Sequence, residues 1–144
     1  MAPTTTVKFL YPIDFQHGDY VDGIGPKRYM AQLLGDVTDT EDETAVVKIA
    51  IGDMVNPSGE TATKFVLESV VYDVQGFTGI YLSFDRVPEN RAFTMGGDAV
   101  GEQDFTRIGG IVDTGSGGTG NLLLTTRGGS VLDTYNIIIT FWVK

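Results

Sequence analysis

The stretch "GGIVDTGSGGTGN", Gly109 to Asn121, places Asp113 behind two β-branched residues and ahead of Thr114, Gly115 and Ser116. A carboxylate on such a turn can hydrolyse peptides, but only as half of a pair. Two carboxylates must share one proton across a two-fold axis, so that one acts as base while its partner acts as acid. Each half would also need a flap hairpin and a later apolar segment to brace the catalytic loop. The chain ends at Lys144, so little sequence follows the motif. Asp133-Thr134-Tyr135 fails as a second copy, because Tyr135 replaces the glycine that a tight turn requires. Glycines at 109, 110, 115, 117, 118 and 120 explain the stretch more simply as a structural loop. Asp113 is therefore expected in a turn, with no partner carboxylate.

Other constellations are thin. His17 is the sole histidine, in the loop Phe15-Gln16-His17-Gly18-Asp19, and no Gly-x-Ser-x-Gly elbow accompanies it. A zinc site there would have only carboxylates to add, which is poor zinc chemistry. The run Asp36 to Glu43, "DVTDTEDE", clusters the oxygens that Ca²⁺ favours but lacks the internal glycine of an EF-hand loop. It is read as a solvated loop tip, facing water or a basic patch on a neighbour. No pair among the 19 acids stands out for glycoside hydrolysis. No phosphate-binding signature is present. The expectation is a protein that is not an enzyme, with no catalytic residue, no metal and no cofactor.

Composition agrees. With 144 residues the chain suits one domain, residues 1–144, large enough to bury a core unaided. There is no cysteine, hence no disulfide, thiol nucleophile or Cys-based metal site. The net charge is −9 and the ten basic residues are scattered, which disfavours nucleic acid and anionic membranes as partners. No apolar run reaches the roughly 18 residues of a membrane span, and no signal-peptide core is seen at the start.

Elements that must position any site follow from the alternation of apolar residues. Strands are expected at 5–11, 28–34, 44–51, 63–74, 78–84, 121–126 and 134–143, with weaker ones at 92–95 and 105–112. In the last, Tyr135, Ile137, Ile139, Phe141 and Val143 share a core face, and Asn136, Ile138, Thr140 and Trp142 face the other way, towards a subunit neighbour or a covering loop. In residues 63–74, Phe65, Leu67 and Val71 oppose Val66, Val70, Tyr72 and Val74. Residues 44–51 place Val47, Ile49 and Ile51 on one face. Gln75-Gly76 suggests a hairpin between two strands. A helix is open at Lys27 to Leu33, and one helical turn at Glu41 to Thr44. Tyr11, Phe15, Tyr20 and Tyr29 are aromatics for the core or, failing that, for a sugar site. Eight or nine short strands imply an all-β fold: a single antiparallel β-sandwich or barrel, jelly-roll-like.

The C-terminal stretches "IGGIVDTGSGGTGNLLLTT", Ile108 to Thr126, and "DTYNIIITFWVK", Asp133 to Lys144, with the Thr-rich start "TTTVKFLYPIDFQHGDYV", resemble small β-rich head decoration proteins of tailed bacteriophages. The resemblance implies a non-enzymatic cement protein on the outer capsid surface of the virion, made in the host cytoplasm. It implies the major capsid protein as partner and a homotrimer. The polar segment Met1 to Thr6 is then a candidate arm for strand addition. Capsid contact is expected from Thr4, Thr5 and Thr6, from the loop 15–27 through Phe15, Tyr20 and Lys27, and from Trp142. The alternative is a carbohydrate- or receptor-binding β-module of a phage fibre or spike, which aromatics exposed on one sandwich face would favour.

Overall fold

A computed structural model describes residues 4–13, 15, 26–38 and 42–144. Ten strands occur among the described residues: β1 (Thr4–Tyr11), β2 (Tyr29–Asp36), β3 (Val46–Ile49), β4 (Phe65–Gln75), β5 (Gly79–Phe84), β6 (Asn90–Gly96), β7 (Val100–Asp104), β8 (Ile111–Val112), β9 (Leu122–Arg127) and β10 (Thr134–Val143). They form two antiparallel sheets. One runs β1-β2-β10-β4-β7, with β8 also on β4, and the other runs β3-β9-β5-β6. Nearly every connection outside the β1-β2 and β5-β6 pairs crosses from one sheet to the other. Leaving aside β1 and the short β8, this is the order of an eight-stranded jelly roll.

One core fills the space between the sheets. β10 lies at the centre of the larger sheet, and its Tyr135, Ile137, Ile139, Phe141 and Val143 are all buried, as the alternation requires. Opposite them stand Ile80, Leu82 and Phe84 of β5 and Leu122 and Leu124 of β9. Tyr29 stacks on Phe141 at 5.4 Å, and Phe65 stacks on Phe84 at 6.1 Å. Each of these aromatic contacts adds about 0.5–1.5 kcal/mol to the area it buries.

Several expectations fail for physical reasons. The strand expected at 28–34 forms as β2, and the helix left open at Lys27 to Leu33 does not: Tyr29, Ala31 and Leu33 enter the core while Met30, Gln32 and Leu34 lie on the outer face. No helical turn forms at Asp42 to Thr44. The long strand carries a bulge. Thr140 pairs with Ser69 and Phe141 with Leu67, leaving Glu68 as the extra residue. The bulge reverses the phase of the strand, so Val70 and Val74 join Phe65 and Leu67 in the core, and Val71 is exposed. Val47 is half exposed, and Ile51 sits in a 3-10 turn beyond β3. Gln75-Gly76 is not a hairpin but a crossing between sheets, with Gly76 at φ +91°. Residues 105–112 split into a 3-10 turn, Thr106–Ile108, and the two-residue β8.

Two buried charge clusters and one exposed carboxylate stitch the loops. Asp113, fully buried, is not catalytic in form. Its carboxylate accepts from Arg86 Nε (2.8 Å), Asn90 Nδ2 (3.2 Å) and the Gly115 N–H (3.2 Å). Arg86 also donates to the Gly117 and Thr63 carbonyls, so the Asp-Thr-Gly-Ser loop is tied to the β5–β6 connection. The acidic run is likewise not all solvated. Asp42 accepts from the Thr126 hydroxyl and from the N–H groups of Gly128 and Gly129. Glu43 is buried, bound by the Lys48 ammonium and by the Tyr135 hydroxyl at 2.6 Å. Burial, with the Glu43 hydrogen bond and charge added, holds the Tyr135 phenol far above its ordinary pKa. Residues 39–41 lie outside the described set.

Candidate functional site

The bulge in β4 lies beside a concavity of mixed chemistry. An extra residue in one strand re-aims its side chain. Here Glu68 is turned onto the outer face of the larger sheet, with only 8% of its side chain exposed. Its backbone carbonyl accepts from Phe105 N–H at 2.7 Å, which anchors the loop after β7 over it. Arg28, one residue ahead of β2, reaches across β10 and donates from Nε to both Glu68 oxygens, at 2.9 and 3.0 Å. More than half of the Arg28 side chain stays exposed.

Trp142 lies between them on β10, half-buried on the outer face. It lines two adjoining cavities. One, of about 270 Å³, is walled by Lys27, Arg28, Pro57, Glu68 and Trp142. The other, of about 330 Å³, is walled by Arg28, Glu68, Thr106, Gly109 and Trp142. The Lys144 ammonium stands 5.5 Å from the indole centroid. Gly110, next to the lining Gly109, is buried against β4. It adopts φ +91°, and a Cβ there would come within 2.6 Å of the Val66 side chain and 3.0 Å of the Leu67 carbonyl, so only glycine lets this loop close down on β4.

Chemically the cleft offers an indole surface, a fixed carboxylate and a guanidinium whose Nη groups make no hydrogen bond among the described residues. Such a set can stack an apolar ring face and exchange hydrogen bonds with hydroxyl groups around it.

The residues expected from sequence do not converge. Lys27 and Trp142 meet in this cleft. Thr4, Thr5 and Thr6 lie in β1 and pair with Asp36, Gly35 and Leu34, held in the chain's own sheet rather than reaching out as an arm. Thr6 lines a separate cavity with Asp36, Asp73 and Asn136. Asn136 and Trp142 are six residues apart on β10, so that end is about 20 Å from the cleft. Phe15 is a core residue, edge-on to Tyr29 at 5.0 Å and to Phe9 at 5.4 Å, and lines a further cavity with Phe9, Lys48 and Met54. Tyr20 and His17 lie outside the described residues. Sequence reading missed Arg28 and Glu68. The available signal was Glu68-Ser69, two adjacent polar residues that break the alternation of "FVLESVVYDV".

Among the described residues no cluster of His, Asp or Glu is suited to a metal ion, and no helix is long and apolar enough to cross a membrane.

No protein-family model matches the chain, and no curated protein matches it. Among solved structures it is similar to a family 29 carbohydrate-binding module, with a TM-score of 0.46 and 10% identity over 99% of this chain and 90% of the other. A low-affinity xylan-binding module from Roseburia intestinalis aligns with a TM-score of 0.29 and 12% identity, covering 100% of this chain and 97% of its own. A cupin domain from Bordetella pertussis aligns with a TM-score of 0.33 and 8% identity, over 99% and 94% of the two chains.

Proposed function

We propose that the chain is a non-catalytic binding module whose Trp142 cleft receives a neutral saccharide unit. One observation carries this reading: the only tryptophan of the chain lies outside the core, in a concavity beside the Arg28–Glu68 pair. A pyranose presents C–H groups on its faces and hydroxyls around its rim. An indole suits the first, because its π-face is negative and C–H groups are slightly positive. The carboxylate and guanidinium suit the second, and the Lys27 and Lys144 ammonium groups beside them are further donors to hydroxyls. The test is affinity electrophoresis through gels holding xylan, glucomannan or mixed-linkage glucan, comparing wild type with Trp142→Ala. Retardation of the wild type and its loss in the variant are expected. Equal mobility of the two in every gel overturns the reading, provided that thermal melts show both folded.

A second reading, the capsid cement protein, is favoured by a different feature. β1 is an open edge of the larger sheet, and Leu10, Tyr11 and Ile13 are exposed at its end. An unpaired edge next to exposed apolar side chains suits strand addition by a neighbouring subunit. On this reading the chain is a homotrimer that bridges major capsid proteins on the virion surface, each weak contact multiplied by symmetry. Jelly rolls serve both capsids and lectins, so the fold does not choose between the two. Cosedimentation with its own expanded, undecorated capsids tests it, and failure to cosediment would exclude it.

A further inference from the structure

The outer face of the smaller sheet carries a second, independent constellation. Strand alternation brings Tyr81 and Ser83 of β5, Thr125 and Arg127 of β9 and Arg91 and Thr94 of β6 to this face. Arg91 and Arg127 come from the strands on either side of Tyr81. Their guanidinium carbons stand 3.7 and 5.2 Å from its ring centroid. Val47 of β3 is half exposed on the same sheet.

These two arginines converge on one ring and differ from three cations that are held by acids. Arg28, Lys48 and Arg86 are each paired with a carboxylate. Neither Arg91 nor Arg127 forms an ion pair among the described residues. Glu89 is the one acid whose charge bears on Tyr81, and it raises the phenol's pKa less than the Thr125 hydrogen bond lowers it. On a chain of net charge −9, this face is a local cationic site in an acidic body.

We infer that this face is a docking surface for a carboxylate-bearing polypeptide, an acidic segment of a partner protein. A guanidinium stacked on an aromatic ring keeps its N–H edges free, and those edges match a carboxylate in bidentate geometry. Arg91 is restrained by its contact with the Tyr81 ring at 3.7 Å and Arg127 by a hydrogen bond to the Tyr81 phenol, which lowers the entropy lost on binding. A sheet face that exposes Arg91, Thr94 and Arg127 around Tyr81 has the composition of a protein interface hot spot. A sugar ring is the poorer fit, because Arg91 already covers the Tyr81 ring.

The experiment uses biolayer interferometry at low ionic strength, with poly-L-glutamate and polygalacturonate as immobilised probes. The proteins are wild type, Arg91→Ala/Arg127→Ala and a charge-matched control, Lys8→Ala/Arg107→Ala. Wild type should bind poly-L-glutamate, the platform variant about tenfold more weakly, and the control as wild type does. The conservative double variant, Arg91→Lys/Arg127→Lys, should fall between, since it keeps the charge but loses the planar fork. Equal loss in platform variant and control would reduce the effect to net charge and overturn the inference. So would unchanged binding by the platform variant, or tighter binding to polygalacturonate than to poly-L-glutamate. None of these readouts depends on the Trp142 cleft, so the two proposals stand or fall separately.

Discussion

The two outer faces of the sandwich use the same residue types to opposite effect. On the larger sheet, Arg28 is held by Glu68, and Trp142 lines a cleft. On the smaller sheet, Arg91 and Arg127 have no carboxylate among the described residues and lie against Tyr81 instead. Whether a buried acid lies within reach decides which surface results. The bulge at Glu68 supplies that acid on one side; β5 offers Ser83 at the comparable depth on the other. On the proposed readings, a paired arginine beside an aromatic makes a hydroxyl-reading cleft. An unpaired one makes an anion-reading platform.

The largest effect should come from the lock that braces the loops of both sheets. Asp113→Ala leaves Arg86 without its partner and should destabilise the fold by about 3–5 kcal/mol, read as a lower urea midpoint. A midpoint unchanged from wild type would mean that the Asp113 cluster braces neither face. Next is Tyr135→Phe, which removes a buried hydroxyl donor from Glu43 and should cost about 1–3 kcal/mol. It also has a pH signature. The folded phenol is held above its ordinary value, so its contribution is complete below about pH 10 and is lost as the unfolded phenol ionises above that. Stability should therefore fall with rising pH in the alkaline range, less steeply in Tyr135→Phe than in wild type.

Glu68→Gln acts on the comparison directly. Because Arg28 is largely exposed, losing the pair should cost only about 1 kcal/mol. The freed guanidinium should make the larger face bind poly-L-glutamate as the smaller one does. No gain in that binding would show that pairing is not what separates the faces. The smallest effect is expected at Ser83, whose hydroxyl is the one buried side-chain polar atom among the described residues with no partner. Ser83→Ala should leave stability unchanged or raise it by up to about 1 kcal/mol, seen as a slightly higher Tm.

What the sequence revealed follows the same divide between local and long-range order. β10 was legible over its full length because ten residues alternate without a break. β4 was legible as a strand but not in phase, because the bulge that shifts it is set by pairing with β10, not by any turn residue of its own. Residues 29–34 were ambiguous because both faces of β2 carry apolar side chains, which blurs the period. Of the cleft, Trp142 and Lys27 were visible and Arg28 with Glu68 was not. Those two are 40 positions apart and meet only because β10 inserts between β2 and β4. The platform draws on three strands and had no local signature at all. The acidic run misled because charge density suggests solvent, whereas Lys48, Tyr135 and two glycine N–H groups capture its last two carboxylates.

Trp142 is the only tryptophan in the chain, so its fluorescence reports on the cleft without labelling. Titration of the wild-type protein with neutral xylo-, manno- and gluco-oligosaccharides should give a saturable change in emission with at least one series. The same concentrations should leave the emission of Arg28→Ala much less changed. An emission spectrum that no series alters, up to millimolar sugar and with the protein shown to be folded, would contradict saccharide binding at this cleft.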